Sequence, residues 1–226
     1  MRPILTLLAL SALAVPLLPV PGAACDAPLC IVDPATLRLG RTITFDDQRG
    51  GAGPGVQVEG LLVLPGASFG VYFAGQGLTD DQGFTTVWGP ALPPLTLLAG
   101  PAGQPLTLLR IGTAVLLSGT GPRGFPQTAA TGEGAVAILF DDDQAILRLD
   151  LRGGEGGVAI LQALARDGTE IGRIAVSPLT EAPVGLLRGG PVADIAGLVI
   201  TNRDPEGIAL DAVGFDGGEQ TSLRRP

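Results

Sequence analysis

The sequence contains neither histidine nor lysine, and these two absences exclude most mechanisms in which a side chain acts as a base at neutral pH. Without histidine there is no Ser–His–Asp or Cys–His catalytic group and no His-bound zinc. Without lysine there is no Schiff base, no Ser–Lys dyad and no phosphate-binding lysine of the P-loop kind. Carboxylates are the abundant functional groups that remain, so only a mechanism built on Asp and Glu is open to this chain.

Basic charge is also scarce, because 22 acidic residues outnumber 14 basic ones and the net charge is −8. The phosphates of nucleic acids repel such an acidic chain, so we expect no nucleic-acid partner. Aromatic residues make up only 4% of the sequence and include a single Trp and a single Tyr. By contrast, 46% of the 226 residues are apolar, which is enough for the core of one folded domain.

Residues 1–24 have the pattern of a secretory signal peptide. A basic residue, Arg2, precedes an apolar run from residue 4 to residue 15, and small residues at positions 22–24 precede Cys25. Prolines at positions 16, 19 and 21 interrupt the run too early for a membrane anchor helix. We therefore expect a secreted or periplasmic protein whose mature chain begins at Cys25 and has no transmembrane span.

The two cysteines of the chain, Cys25 and Cys30, stand directly after this predicted cleavage site. In an oxidising compartment such a close pair predicts a small disulfide loop that fixes the mature N-terminus. The alternative is a lipoprotein in which Cys25 is acylated. The small residues before Cys25 agree with that alternative, whereas Gly22 stands where an aliphatic residue is usual. We treat residues 25–40 as a lead-in to the folded domain.

The mature chain is rich in short strand patterns separated by Gly, Pro and Asp turns, and it has almost no helical periodicity. About ten strands are expected. Ala145–Arg152 alternates most clearly, with its leucines on the buried face. Val158–Val176 is typical of a hairpin that turns at Asp167–Gly168. The pattern predicts an all-β fold, a two-sheet antiparallel sandwich of jelly-roll type over residues 41–216, followed by a flexible tail at 217–226, and we expect a monomer.

The stretch Gln82–Leu109 carries no charge and is long enough to suggest a membrane span. Five prolines interrupt it, however, and exclude a membrane helix. We expect a Pro-rich loop that packs on the domain and is followed by a strand near Leu106–Ile111.

Short motifs in a fixed order resemble a known group of proteins. They are an I-T-F-D strand, a G-V-x-F strand, an apolar strand ending in F-D, a hairpin containing D-G, and a closing I-A-L-D-A-V-x-F strand, at Ile43–Asp46, Gly70–Phe73, Ile138–Asp141, Ala163–Gly172 and Ile208–Phe215. This order resembles the secreted β-sandwich ectodomains of bacterial exosortase (PEP-CTERM) substrate proteins. The resemblance implies a jelly roll of the carbohydrate-binding type. The sequence shows no PEP motif, apolar helix and basic tip, so the anchoring function of that group is not implied.

Acidic residues near the ends of the first and last predicted strands suggest a calcium site. Calcium is bound by carboxylate and carbonyl oxygens, and the first and last strands of a jelly roll tend to be neighbours. We therefore expect a structural Ca²⁺ held by Asp46, Asp47, Asp211 and Asp216. The alternation over 41–47 places Asp47 on the inward face, where it would need a partner, either calcium or an arginine. A solvated turn or a salt bridge is the alternative for each of these carboxylates.

Exposed aromatic rings commonly bind sugars because their faces stack on the apolar faces of pyranose rings. Trp88 and Phe84 lie in predicted loops and are the candidates for such contacts, together with Tyr72. Trp88 could instead cap one end of the core, and Tyr72 could lie in the core or at its rim.

Three functions remain open. The first is a non-catalytic module that binds an extracellular or cell-envelope glycan. The second is a structural surface or matrix protein acting through protein contacts, which an exposed Gln82–Leu109 segment would provide. The third is a carboxylate-based glycoside hydrolase, which needs only two acidic residues; its candidates are Glu59, Glu133, Glu155 and Glu206.

Overall fold

The computed structural model describes residues 25–216. The predicted signal peptide (residues 1–24) and the predicted flexible tail (residues 217–226) lie outside the described residues. Within the described part of the chain, no helix is long and apolar enough to cross a membrane.

The described residues form eighteen strands and two short 3₁₀ helices, the latter at Pro34–Thr36 and Thr128–Ala130. The strands are β1 (Leu29–Val32), β2 (Arg41–Thr44), β3 (Val56–Gln57), β4 (Leu62–Leu64), β5 (Ala67–Gly70), β6 (Tyr72–Phe73), β7 (Gly77–Asp81), β8 (Phe84–Trp88), β9 (Leu97–Leu98), β10 (Leu106–Ile111), β11 (Ala114–Gly119), β12 (Val136–Gln144), β13 (Ile146–Arg152), β14 (Val158–Leu164), β15 (Glu170–Val176), β16 (Val184–Arg188), β17 (Ile195–Arg203) and β18 (Ala209–Phe215).

Most strands belong to two antiparallel sheets, which confirms the predicted all-β sandwich. Sheet A has the order β1-β16-β13-β18-β11-β10-β3, with β2 also paired to β18, and sheet B has the order β15-β14-β17-β12-β5-β4. From β12 to β18 the chain crosses repeatedly between the sheets, which is typical of jelly-roll connections. The remaining strands form two ribbons, β6 with β9 and β7 with β8.

The core between the sheets is built from the inward faces of the strands. In β13, Leu147, Leu149 and Leu151 are buried, as the alternating pattern predicts. Five buried phenylalanines provide the bulk of the aromatic packing. Phe45 meets Phe69 edge-on with ring centroids 5.3 Å apart.

The turn predicted at Asp167–Gly168 is confirmed, and a second turn joins β17 to β18. Gly168 has a φ of +84°, a backbone conformation that favours glycine, and it turns the chain from β14 into β15. Between β17 and β18, the Gly207 N–H donates to the Asp204 carbonyl at 2.8 Å. The Asp204 carboxylate is fully buried and accepts hydrogen bonds from the backbone of Gly154 and Gly157. It thereby fixes the glycine-rich connection at residues 153–157, which joins β13 of sheet A to β14 of sheet B.

The predicted disulfide between Cys25 and Cys30 is present. The bond occupies the Sγ atom of Cys25, which the lipoprotein alternative requires for acylation. The lead-in is more structured than expected, because its strand β1 pairs with β16 at the edge of sheet A.

The stretch Gln82–Leu109 packs on the domain as predicted, and the strand at its end, β10, has the expected bounds. It is not one loop, however, because its β-branched beginning forms β8, which pairs with β7. Ala91, Leu95 and Leu97, which follow β8, are buried in the core.

Candidate functional site

The acidic residues Asp46 and Asp47 lie in a turn at the end of β2. Strand β2 stops at Thr44, and the Gln48 N–H donates to the Phe45 carbonyl at 2.8 Å, which closes a β-turn with Asp46 and Asp47 at its centre. Both side chains are exposed. The expectation of an inward-facing Asp47 is therefore wrong, because the alternation that it assumed ends before this residue.

The first and last predicted strands, β2 and β18, are neighbours as expected, but the four candidate carboxylates do not all lie close together. The register of β2 with β18 pairs Arg41 with Phe215, so Asp216 lies at the end of β18 that is remote from the Asp46 turn. Five residues of extended chain separate Asp211 from Asp216, which is roughly 16 Å. Calcium ligands lie within about 2.6 Å of the ion, so these four carboxylates cannot share one ion.

Protein groups engage three of these four carboxylates. Asp46 accepts a hydrogen bond from the Val115 N–H at 3.0 Å. Asp211 accepts two from the Arg152 guanidinium, at 2.8 and 3.0 Å. Asp216 accepts one from the Ala145 N–H at 3.3 Å, and burial raises its pKa. Over residues 25–216, no group of three or more His, Cys, Asp or Glu side chains is placed to hold a metal. Calcium binding stays a prediction.

The aromatic candidates Trp88 and Phe84 lie in a strand, β8, and not in the loops that the sequence suggested. Thr85 and Val87 are buried and alternate with them, so Phe84, Thr86 and Trp88 point away from the core. We call these three residues, together with Thr79 opposite Thr86, the hairpin face. The fold therefore places two of the three predicted ligand-binding aromatics on one surface.

Trp88 is 58% exposed, which is unusual for the largest apolar side chain of a protein. The indole lies against Gly77, its cross-strand partner: a Cβ added at Gly77 would be 2.7 Å from two ring carbons. Trp88 does not cap the core, which was the alternative. Tyr72, the third aromatic candidate, is half-buried in β6 opposite Leu98 and packs against the core.

Contacts on two sides fix the hairpin that carries this face. Asp81 of β7 forms an ion pair with Arg203 of β17. The Thr85 N–H donates to the Glu133 carbonyl at 2.8 Å. The Glu133 side chain is buried and paired with Arg123 at 3.1 Å. Burial raises the pKa of Glu133, while the charge of Arg123 lowers it and that of Asp80 raises it further.

An open groove of about 460 Å³, lined by both polar and apolar residues, adjoins the hairpin face on the outer side of sheet B. One wall is the Gly89–Ala91 segment that directly follows Trp88, and the other is the turn between β14 and β15. Its floor carries a chain of polar contacts. The Gln76 amide donates to Gln162 at 3.2 Å, Gln162 donates to Glu170 at 2.7 Å, and Arg173 donates to both oxygens of Glu170.

Sequence reasoning missed this groove. Its one signal is Gln162, a polar residue in the apolar run Ala159–Leu164. The hydrolase candidates do not meet in it, since the acidic side chains that line it within residues 25–216 are Asp167 and Glu170. Of the four glutamates considered for hydrolysis, Glu133 is buried, whereas Glu59, Glu155 and Glu206 are exposed.

No family model matches the sequence, and no curated protein matches it either. Several solved structures show partial similarity, among them three structures of carbohydrate-binding modules. A variant of a family 29 carbohydrate-binding module complexed with mannohexaose is 17% identical, with 67% of this chain and 93% of that chain covered and a TM-score of 0.31. A second variant, complexed with cellulohexaose, is 20% identical over 68% and 94% of the chains, with a TM-score of 0.30. A module specific for non-crystalline cellulose, CBM28, is 17% identical over 50% and 77%, with a TM-score of 0.24. At TM-scores of 0.31 or less, these matches neither assign the chain to a family nor identify its ligand.

Proposed function

We propose that the protein is a secreted or periplasmic, non-catalytic module that binds a glycan of the cell envelope or the extracellular space. The main support for the proposal is the exposure of Trp88. The single Trp of the sequence points outward from a strand, and its indole lies against Gly77. The relation to exosortase-substrate ectodomains rests on the sequence motifs alone.

The physical basis is the match between an indole face and the C–H face of a pyranose ring. Trp offers a large apolar surface with few rotatable bonds, so a ligand that covers it removes apolar area from water at a small entropic cost. The strand and the Gly77 contact restrict the ring before the ligand arrives. Such preorganisation increases affinity because less freedom is lost on binding.

The neighbouring groove supports a ligand rich in hydroxyl groups. Its volume of about 460 Å³ lies within the usual range for small-molecule sites. Asp167 and the Glu170–Arg173 ion pair place charged groups at its surface, and charge-assisted hydrogen bonds to hydroxyls are strong.

The two other functions have less support. A structural protein acting through the Gln82–Leu109 segment would need that segment exposed, but Ala91, Leu95 and Leu97 are buried. We therefore propose that the protein is a monomer.

A hydrolase needs two carboxyl groups facing a shared cleft. Of the four candidates, Glu133 is buried and paired with Arg123. Of the two acidic residues that line the groove, Glu170 is paired with Arg173 and accepts a hydrogen bond from Gln162.

Retention on insoluble polysaccharides tests the proposal. Residues 25–226 are mixed with cellulose, mannan, xylan, chitin and β-1,3-glucan, and the unbound protein is measured. We expect retention on at least one of them and its loss in Trp88→Ala. Ile111→Ala is the matched control, because Ile111 is equally exposed, at 57%, but lies in sheet A. Retention on none of the polysaccharides, or equal retention of Trp88→Ala and the wild type, would overturn the proposal.

A further inference from the structure

The hairpin face carries two aromatic rings with a fixed separation. Phe84 and Trp88 are four residues apart in β8, and their side chains point to the same side. With a rise of about 3.3 Å per residue, their Cα atoms are about 13 Å apart. Phe84 is half-buried and Trp88 is exposed, so both present ring surface to solvent.

The surface between the two rings is polar. Thr86 lies between them in β8, and its cross-strand partner is Thr79 of β7. Directly paired residues of an antiparallel ribbon point to the same face, so the two hydroxyl groups stand side by side. The pattern of ring, hydroxyl pair and ring matches a chain of pyranose units, whose C–H faces alternate with projecting hydroxyls.

The groove extends this row beyond Trp88. Gly89 and Pro90, the next two residues of the chain, form part of its wall. Phe84, Trp88 and the Gly89–Ala91 wall of the groove therefore follow one another along the chain. A ligand that contacts all three is much longer than a monosaccharide or a disaccharide.

We infer that the ligand is an extended oligosaccharide segment of a polysaccharide, bound at both rings and the groove together. This inference rests on the proposed function and specifies its ligand class. It assigns Phe84 and Thr86 to the binding surface and predicts that affinity depends on chain length.

Calorimetric titration with an oligosaccharide series tests the inference. The probes are the mono- to hexasaccharides of the polysaccharide that retains the protein. We expect the hexasaccharide to bind at least about tenfold more tightly than the disaccharide, since it gains a second ring contact. If the monosaccharide binds as tightly as the hexasaccharide, the inference fails while the proposed function stands. If no polysaccharide retains the protein, both fail together.

One variant and one control show whether Phe84 causes the length dependence. Phe84→Leu keeps apolar volume at this half-buried position but removes the ring face, so the hairpin should stay folded. We expect it to lower hexasaccharide affinity by about tenfold and to leave disaccharide affinity unchanged. Ile111→Ala is the control and should keep the full length dependence. A Phe84→Leu protein with a native thermal melt and wild-type hexasaccharide affinity would overturn the inference.

Discussion

The indole of Trp88 lies so close to Gly77 that a Cβ at position 77 would come within 2.8 Å of its ring nitrogen. The two residues face each other across the β7–β8 ribbon, and the absence of a side chain on Gly77 lets the ring lie against the strand. The orientation of the exposed indole is thus set by a glycine on the neighbouring strand.

Replacing Gly77 with alanine should displace the indole without unfolding the domain. The new methyl group would overlap the ring, and the ring must move because the strand backbone cannot. We expect about tenfold weaker polysaccharide binding, with circular dichroism unchanged. Gly172→Ala is the control, because a Cβ there meets its nearest atom at 3.5 Å. Equal binding by both variants and the wild type would show that the Gly77 contact is irrelevant to the site.

Replacing Gln162 with leucine should destabilise the domain and alter the groove. Gln162 is buried and connects Gln76 to Glu170, so leucine leaves a buried amide and a carboxylate oxygen without this partner. Such a loss costs roughly 1–3 kcal/mol of the free energy of unfolding. Urea denaturation measures it. An unchanged midpoint and slope would mean that water replaces the missing contacts.

Asp204 should be among the most sensitive positions of the fold. Its buried carboxylate accepts hydrogen bonds from the backbone of Gly154, Glu155 and Gly157. We expect Asp204→Ala to lower the free energy of unfolding by roughly 3 kcal/mol or to prevent folding. Asp47→Ala, in an exposed turn, should change it by less than about 0.5 kcal/mol. Similar values for the two variants would refute the role of Asp204.

The structural calcium that the sequence suggests stays a prediction, and thermal stability tests it. Asp46, Asp211 and Asp216 accept hydrogen bonds from backbone N–H groups or an arginine, and Asp216 is remote from the others. Coinciding melting curves in calcium and in EDTA would exclude such a site. A shift of several degrees that is lost in Asp211→Ala would restore the calcium site that the sequence suggests.

Stability should decrease as the pH rises above the ordinary range of carboxyl groups. Burial raises the pKa of Glu133 and of Asp216, so the folded chain keeps these protons where the unfolded chain has released them. Because the folded state then binds more protons, the free energy of unfolding falls from about pH 4 until the raised pKa values are passed. Urea denaturation between about pH 4 and pH 7 measures this slope.

The same titration identifies the groups responsible. Glu133→Gln and Asp216→Asn should each flatten the pH profile, because each removes one carboxyl group whose pKa burial raises. If neither variant changes the slope, other groups cause the pH dependence.

Features that depend on local sequence could be predicted. The alternation of Leu147, Leu149 and Leu151 follows from the two-residue period of a strand. The turn at Gly168 follows from the positive φ that glycine accepts. The Cys25–Cys30 disulfide follows from a close pair in an oxidising compartment.

Features that depend on contacts between distant parts of the chain could not be predicted from the sequence. The predicted inward orientation of the Asp47 side chain is wrong because the alternation of residues does not show where the turn ends β2. The groove was missed because Gln76 and Gln162 are 86 residues apart and only the packing of the hairpin on sheet B joins them. Trp88 was identified as a candidate from its residue type. Its position in a strand and its contact with Gly77 could not be predicted, because both depend on the pairing of β7 with β8.

Because Trp88 is the single Trp of the sequence, its fluorescence reports directly on the proposed site. The deciding measurement is the emission spectrum during titration with a soluble form of the retained polysaccharide, or with its hexasaccharide. An exposed indole that becomes covered by a sugar should shift its emission to shorter wavelength, saturably and with the dissociation constant obtained by calorimetry. Saturable binding in calorimetry with no change in the emission of Trp88 would place the glycan elsewhere and contradict the account.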